Sequence, residues 1–333
     1  MLLRHEVYTE RALQEMKLRE AKVGRTFGHL KVSPVVIDGK WYYDGSRDLL
    51  RALPTNTPTT IELSDSESAT ITLIDANHCP GAVMFLVESA KGAVLHTGDF
   101  RAETRFLEAI SQDKALQPYL SYQGPTGDFT PPLKTLDAIY LDTACQFSES
   151  PVPSKVSTCY VINPASSHAK ASRQKEAVDG FIELMKLVPS MSIFFINAWT
   201  WGYEEILKAV GRAFGTKIHA DSYKHGIYTH LSDRVMPLIL TEDASSTRFH
   251  ACERFDRCSQ AAEPANNDRH VVYVNPVTMS ADKWTVYFSE TKAALRAGKR
   301  LDCLLIPLSR HSPLPELRAF VSMFRPKRIV PNT

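Results

Sequence analysis

Asp75-Ala76-Asn77-His78-Cys79-Pro80-Gly81-Ala82, answered by Leu95-His96-Thr97-Gly98-Asp99-Phe100-Arg101, is the stretch on which the reading of this chain turns. Between the two halves lie Val83-Met84-Phe85-Leu86-Val87 and Ala93-Val94-Leu95, joined by Ser89-Ala90-Lys91-Gly92. Apolar runs bounded by turn-forming residues predict buried strands, and Lys-Gly suits a tight turn. Folding the chain back about residues 89–91 carries positions 78 and 99 to the same end of the two strands. An imidazole and a carboxylate converging at a strand end are what a zinc or manganese site needs. Taken singly, His78 is a loop residue and Asp99 a turn former. Their joint placement, with Gly81 and Gly98 letting backbone pass close by, leaves turn and metal centre about equally open on geometry alone.

Two later stretches add candidates. Ile139-Tyr140-Leu141-Asp142-Thr143 reads as a strand ending in a carboxylate, and Ile306-Pro307-Leu308-Ser309-Arg310-His311-Ser312 as a strand leading into a helix. There Ser312 can act as N-cap with Pro313 at the favoured first position. The helix start presents free backbone N–H groups, which suit a phosphate, and His311 stands at the strand's C-terminal end.

At 333 residues the chain can bury a large core and is expected to form two domains or lobes. Its 44% hydrophobic and 23% charged residues are those of an ordinary globular protein. No apolar run approaches the roughly 18 residues of a membrane helix, so no membrane partner is expected. Met1-Leu2-Leu3-Arg4-His5-Glu6 lacks the apolar core of a secretory signal. Six cysteines without a Cys-x-x-Cys pair argue against a structural zinc finger or a disulfide scaffold and suit a reducing compartment. The net charge of +2 neither favours nor excludes nucleic acid, whose binding needs local positive potential.

Strand-like runs at 71–74, 83–88, 93–97 and 138–142 crowd the first half. A turn-rich insertion lies around 117–132, and Ser148–Ser154 marks a plausible boundary. From about residue 170, helical spacing (Ala177, Val178, Phe181, Ile182, Leu184, Met185, Val188) alternates with strand runs such as Ile193-Phe194-Phe195-Ile196. That alternation predicts a parallel, helix-covered sheet. The polar stretch 242–270 reads as a loop, followed by strands at 271–274 and 303–306, a helix near 314–324 and a strand at 328–330.

Asp-Ala-Asn-His-Cys-Pro-Gly-Ala and His-Thr-Gly-Asp-Phe-Arg resemble, in order and at length, the metallo-β-lactamase/β-CASP nucleases, in particular the Artemis-like DNA cross-link-repair branch. The resemblance runs from near residue 1 to the end. It implies an α/β fold: a partial metallo-β-lactamase αββα sandwich with an inserted β-CASP α/β domain. The first domain would comprise 1–150, the β-CASP domain 151–299, and 300–333 would return to the first. It implies that His78, Asp99 and His311 are metal ligands, with Asp99 bridging, and that Asp99, Asp142 and His311 are catalytic, Asp142 as a support of the active site. Arg101, Arg310 and Ser312 become candidate phosphate contacts. Phe195–Glu205 occupies the place of a family motif whose wording is replaced here, so only position carries over. The implied cofactor is a pair of Zn2+ ions, with Mg2+ or Mn2+ as alternatives. DNA ends, single-stranded or cross-linked DNA are the implied partners, with repair proteins, in the nucleus.

The family's His-x-His-x-Asp-His motif is missing: no His-x-His pair occurs among the eleven histidines. His219-Ala220-Asp221 with His225 has the wrong spacing and lies in the insert, and His96 faces away from a ligand at 99. Two metals sharing an aspartate need on the order of five ligands. The expectation is therefore a member shortened at its N-terminus, and at its C-terminus, inactive or nearly so by itself, whose full-length parent is a DNA-repair exonuclease or structure-specific endonuclease. Competing readings are an RNA-processing β-CASP nuclease, a non-catalytic binding or scaffold protein and, more weakly, a small-molecule hydrolase of the same fold.

Overall fold

The structure, a computed structural model, describes residues 35–37, 40–42, 52–123, 129–150, 152, 168–198, 201–229, 233–252, 258–262 and 270–332. Residues 1–34, where the first domain was expected to begin, lie outside these, as do 151, 153 and 154 of the expected boundary and 199–200 of the Phe195–Glu205 stretch. The chain divides into units 1–54 and 55–333. In the first, strands β1 (Val35–Ile37) and β2 (Lys40–Tyr42) pair antiparallel. The second holds two larger sheets and the helices that cover them.

Strands β3 (Thr59–Ser64), β4 (Glu67–Asp75), β5 (Val83–Ser89) and β6 (Gly92–His96) form an antiparallel meander, each paired with the next. A short ladder of β7 (Tyr122–Gln123) and β8 (Phe129–Thr130) comes next in the chain. The strand β9 (Ala138–Asp142) then adds parallel to β6. Along β5 and β6 burial alternates with a period of two, Met84, Leu86, Ala93 and Leu95 facing inward, as a strand with one covered face requires. Those residues meet Phe106 and Ile110 of the Thr104–Ser111 helix and Leu317, Phe320 and Phe324 of the Leu314–Phe324 helix. Phe100 packs edge-on against Phe320, ring centroids 4.8 Å apart.

The second sheet is wholly parallel. It comprises β10 (Ile193–Ile196), β11 (Ile218–His219), β12 (Leu240–Thr241), β13 (Phe249–His250), β14 (Val271–Val277) and β15 (Cys303–Pro307), in spatial order β12-β11-β13-β10-β14-β15. All four residues of β10 are buried, as in a sheet covered on both faces. Val178, Phe181, Leu184 and Met185 of the His168–Leu187 helix, and Ile206, Leu207 and Val210 of the Glu204–Phe214 helix, supply the core. The final strand β16 (Ile329–Asn332) returns to the first sheet, parallel to β9.

The mixed α/β architecture and the parallel second sheet match expectation. Two placements differ. The stretch 242–270, read as loop, contains β13 and the short Ser259–Ala262 helix, because such short segments flanked by polar sequence carry no periodicity of their own. And β15, expected in the segment returning to the first domain, is hydrogen-bonded to β14. Leu308 still packs in the second core whereas Leu317 packs in the first, so the chain crosses between them.

Candidate metal centre

The crossing at residues 308–313 arrives at the open end of the β5–β6 hairpin, where three backbone bends are built from the sequence. Asn77, Gly81 and Gly98 all have positive φ, of 50°, 87° and 55°. Asn tolerates that region because its side chain bonds locally. Here the Asn77 amide N–H donates to Asp75 Oδ1 (3.0 Å) and its Nδ2 donates to the Arg101 carbonyl (2.9 Å). Arg101 N–H in turn donates to the Ala76 carbonyl at 3.1 Å, so the two halves of the motif are stitched together.

His78 is buried, and its Nδ1 lies 3.1 Å from the carbonyl of Arg310. A carbonyl can only accept, so Nδ1 carries the hydrogen and the Nε2 lone pair is left to face Asp99, whose Oδ2 is 3.7 Å away. Burial, then the positive charge of Arg310 and the His311 ring, push the His78 pKa down to about 4. The imidazole is therefore neutral near pH 7, the state a metal requires. His311 stands alongside, ring centroids 4.8 Å apart.

The other support is Asp142, at the end of β9 and almost fully buried. Its Oδ2 accepts from His311 Nδ1 (2.7 Å) and from the Phe100 N–H (3.1 Å), while Oδ1 accepts from the Ala144 N–H (2.9 Å). Burial alone would raise its pKa, but the bonds from His311 and the backbone amides outweigh it and the carboxylate lies below its ordinary value. Both histidines thus commit one ring nitrogen to an oxygen and leave the other for the centre, the arrangement that orients imidazoles around metals.

One donor atom each from His78, Asp99 and His311 lies within 4.8 Å of the others. Ligand atoms of a tetrahedral site with bonds of about 2.0–2.1 Å stand roughly 3.3 Å apart. The 3.7 Å between His78 Nε2 and Asp99 Oδ2 is near that spacing, and two imidazoles with one carboxylate suit zinc or manganese. Asp99 is 66% exposed, so the centre opens to solvent on its side.

The structure brings His78, Asp99, His311 and Asp142 together, and two further expectations give way. Arg101 is fully buried, its Nε and Nη2 paired with Glu316 (2.7 and 2.9 Å) and its Nη1 donating to the Ser309 carbonyl (2.7 Å). It holds the hairpin to the Leu314–Phe324 helix and cannot reach a phosphate in solvent. Ser312 is buried too, its Oγ accepting from the Ala102 N–H at 2.7 Å, and the helix N-cap is Pro313 with no side-chain cap bond. Its hydroxyl is used by the loop between β6 and the Thr104–Ser111 helix, accepting from Ala102 and donating to the Phe100 carbonyl. Arg310, partly exposed, lies over the Tyr203 ring (5.1 Å) and donates to the Trp201 carbonyl (2.9 Å). His96 accepts from the Gly98 N–H (3.0 Å) and stacks on Tyr140, away from the centre, as expected.

Sequence reasoning missed how the turn before the Glu204–Phe214 helix reaches this centre. Gly202, φ 86°, lies so close that an added Cβ would stand 2.6 Å from Arg310 Cδ and 3.1 Å from the His78 carbonyl oxygen. A groove beside the donors is lined by Asp75, Asn77, His78, Gly202 and Glu205. A glycine between a buried strand and a helix was the available signal.

Residues 235–333 match the family DNA repair metallo-beta-lactamase. Over 310 residues the chain is 27% identical to Protein artemis of Gallus gallus, an alignment covering 84% of this chain and 36% of that protein. Over 289 residues it is 28% identical to 5' exonuclease Apollo of Rattus norvegicus, covering 86% and 43% respectively. The chain therefore spans about two fifths of the length of these curated relatives. A crystal structure of a protein of unknown function from Enterococcus faecalis V583 overlaps 85% of this chain and 61% of its own at 12% identity, with a TM-score of 0.43, too low to carry an argument. Residues 235–333 are thus similar to a DNA repair metallo-beta-lactamase domain, and most of the chain is similar in sequence to artemis and Apollo.

Proposed function

We propose that this chain forms part of a DNA-repair nuclease that hydrolyses phosphodiesters with metal held at His78, Asp99 and His311. The observation that carries the reading is the convergence of these three donors with each imidazole oriented from behind, His78 by the Arg310 carbonyl and His311 by Asp142. The similarity to a 5' exonuclease and the match to a DNA repair family support a nucleic acid as the substrate.

Bound zinc, or magnesium or manganese in its place, would lower the pKa of a coordinated water and stabilise charge on the attacking and leaving oxygens. The chain's own residues do the positioning. His78 presents a neutral Nε2 atom, and Asp142, bonded to Nδ1 of His311, fixes the orientation of that ring. Asp99, exposed at the rim, would offer a carboxylate oxygen to the centre. Arg310, beside His78, adds positive charge where a phosphate would approach.

Within this reading the protein acts on DNA ends or cross-linked DNA in the nucleus, as a 5′-3′ exonuclease or structure-specific endonuclease, in company with repair proteins. The sheet of β3–β6, β9 and β16 would belong to its metallo-β-lactamase lobe, and the parallel sheet of β10–β15 to its β-CASP lobe. Among the described residues three donors meet at this centre, too few to hold a pair of ions tightly, so we expect the chain by itself to turn over little or not at all.

The test joins an upstream His-x-His-x-Asp-His segment to the chain and measures cleavage of 5′-phosphorylated single-stranded DNA and of RNA of the same sequence. Metal-dependent cleavage of DNA, falling at least about 100-fold in Asp99→Asn and His311→Ala, is expected. Preference for RNA would favour the RNA-processing alternative. DNA binding without cleavage would favour a scaffold, and cleavage indifferent to both substitutions would end the proposal.

A further inference from the structure

A cavity of about 710 Å3 opens at the end of the parallel sheet away from the metal donors, larger than the groove of about 390 Å3 beside His78. Ser192, His270 and Asp302 stand immediately before β10, β14 and β15, and the first two line it. Gly202 and Leu308, which lead to the His78 centre, follow β10 and β15 instead. In a parallel sheet those two sets of ends lie on opposite sides. At about 3.3 Å per residue, the five residues of β15 hold them roughly 16 Å apart.

Leu187, Met191, Leu295 and Leu301 supply apolar walls. The floor is polar but self-contained. His270 Nε2 lies 2.9 Å from Asp302 Oδ1, which can only accept, so Nε2 carries the hydrogen. In the neutral ring the buried Ser192 hydroxyl, 3.3 Å away, then donates to Nδ1. At the rim stand Lys299 and Arg300. Among the described residues neither cationic side chain makes a hydrogen bond or ion pair, and no carboxylate lines the cavity. Cations that follow a helix usually complement its C-terminal carbonyls. Here those carbonyls are already met. After the Ala281–Arg296 helix, the N–H groups of Ala297, Gly298 and Lys299 donate to the carbonyls of Ala293, Leu295 and Ala294. Beyond the His168–Leu187 helix, Arg248 Nη1 donates to the carbonyls of Pro189 and Ser190 (3.2 and 3.1 Å). Two cations are thus left facing an apolar cavity.

We propose that this cavity binds a small amphipathic anion, an acyl carboxylate or an alkyl phosphate. Its apolar body lies between Leu187, Leu295 and Leu301, and its head meets Lys299 and Arg300. Cavities that take small ligands measure about 300–1,000 Å3, apolar for the most part, with a few convergent polar groups. This one has that size and that lining. Withdrawing the body from water supplies affinity, and charge-assisted bonds to the two cations select an anionic head. A head without a body leaves the walls wet. A body with a neutral head leaves two cations partly desolvated and unpaired. The same head and body occur in an anionic bilayer, but a concave pocket between two helix ends admits a single free molecule. The site uses none of the groups of the nuclease reading and stands or falls independently of it.

The probe is sodium decanoate, titrated calorimetrically into the full chain after metal removal, so that its carboxylate cannot settle on an ion at His78. We expect saturable binding of about one decanoate per chain with a Kd below about 1 mM. Acetate and 1-decanol, which offer the head and the body alone, should bind at least about 10-fold more weakly. Lys299→Gln combined with Arg300→Gln, at two exposed positions outside the core, should weaken decanoate at least about 10-fold and leave 1-decanol unchanged. Met191→Glu places a carboxylate at a rim residue that is 76% exposed and should also weaken decanoate, whereas His78→Ala should not. No saturable binding to the unmodified chain, equal affinity for decanoate and 1-decanol, or indifference to the double substitution overturns the proposal. So does retention on vesicles of phosphatidylserine and phosphatidylcholine without binding of free decanoate.

Discussion

Replacing Arg101 by methionine separates two physical roles for one cation. The guanidinium is fully buried, makes a two-pronged pair with Glu316 and donates to the Ser309 carbonyl. Methionine keeps most of the stem's packing but deprives a carboxylate whose side chain is only 18% exposed, and a buried carbonyl, of their cationic partner. Breaking such a pair from one side costs about 3–5 kcal/mol. Glu316 keeps some solvent, so we expect the lower end, about 3 kcal/mol, or roughly 6–12 °C in melting temperature for a unit of this size. Urea denaturation monitored by circular dichroism measures it, on Arg101→Met, Glu316→Gln and the double variant. The double variant should recover part of the loss, with a coupling of at least about 1.5 kcal/mol. The salt dependence of DNA binding should not change. Were Arg101 instead a phosphate contact, stability would stay within about 0.5 kcal/mol and the slope of log affinity against log salt would fall by about 0.9. That pair of results would refute the structural role.

Asp142→Asn presents an amide where three donors, from His311, Phe100 and Ala144, expect a carboxylate; metal affinity at the His78 centre should fall about 10–100-fold in a competition titration, and an unchanged affinity would count against the orienting role. Gly202→Ala combines a positive φ with a 2.6 Å approach to Arg310 Cδ and should cost about 1–3 kcal/mol, read as a lowered urea midpoint; a neutral result would mean the turn sits farther from His78. For His78, the folded pKa of about 4 lies below the ordinary 6.5, so the unfolded chain binds the proton first. Stability from this group is complete above about pH 6.5 and is lost as pH falls toward 4, by up to about 3 kcal/mol. Metal-free His78→Gln should show a flatter profile over that window, and an identical slope would contradict the depressed pKa.

The hairpin, β9, β10 and the Leu314–Phe324 helix were readable in the sequence because apolar periodicity is local and strong. The pairing of position 78 with 99 came from a hairpin's symmetry alone. His311 was readable as a strand-end residue, but its partnership with Asp142, 169 positions earlier, is a long-range contact that no local pattern encodes. The same limit explains the two misreadings at the site. Arg101 and Ser312 look exposed in a polar, turn-rich sequence, and burial there depends on a helix arriving from more than 200 residues away.

Sequence by itself determined the kind of chemistry: which donors exist, where strands end, and which backbone bends need glycine or asparagine. Tertiary structure alone decided which donors share a point in space. It sent Arg101 inward, since a buried guanidinium is tolerable only where a carboxylate meets it. It also set His219 beside His250, since parallel strands bring together residues that thirty intervening positions keep apart in the chain.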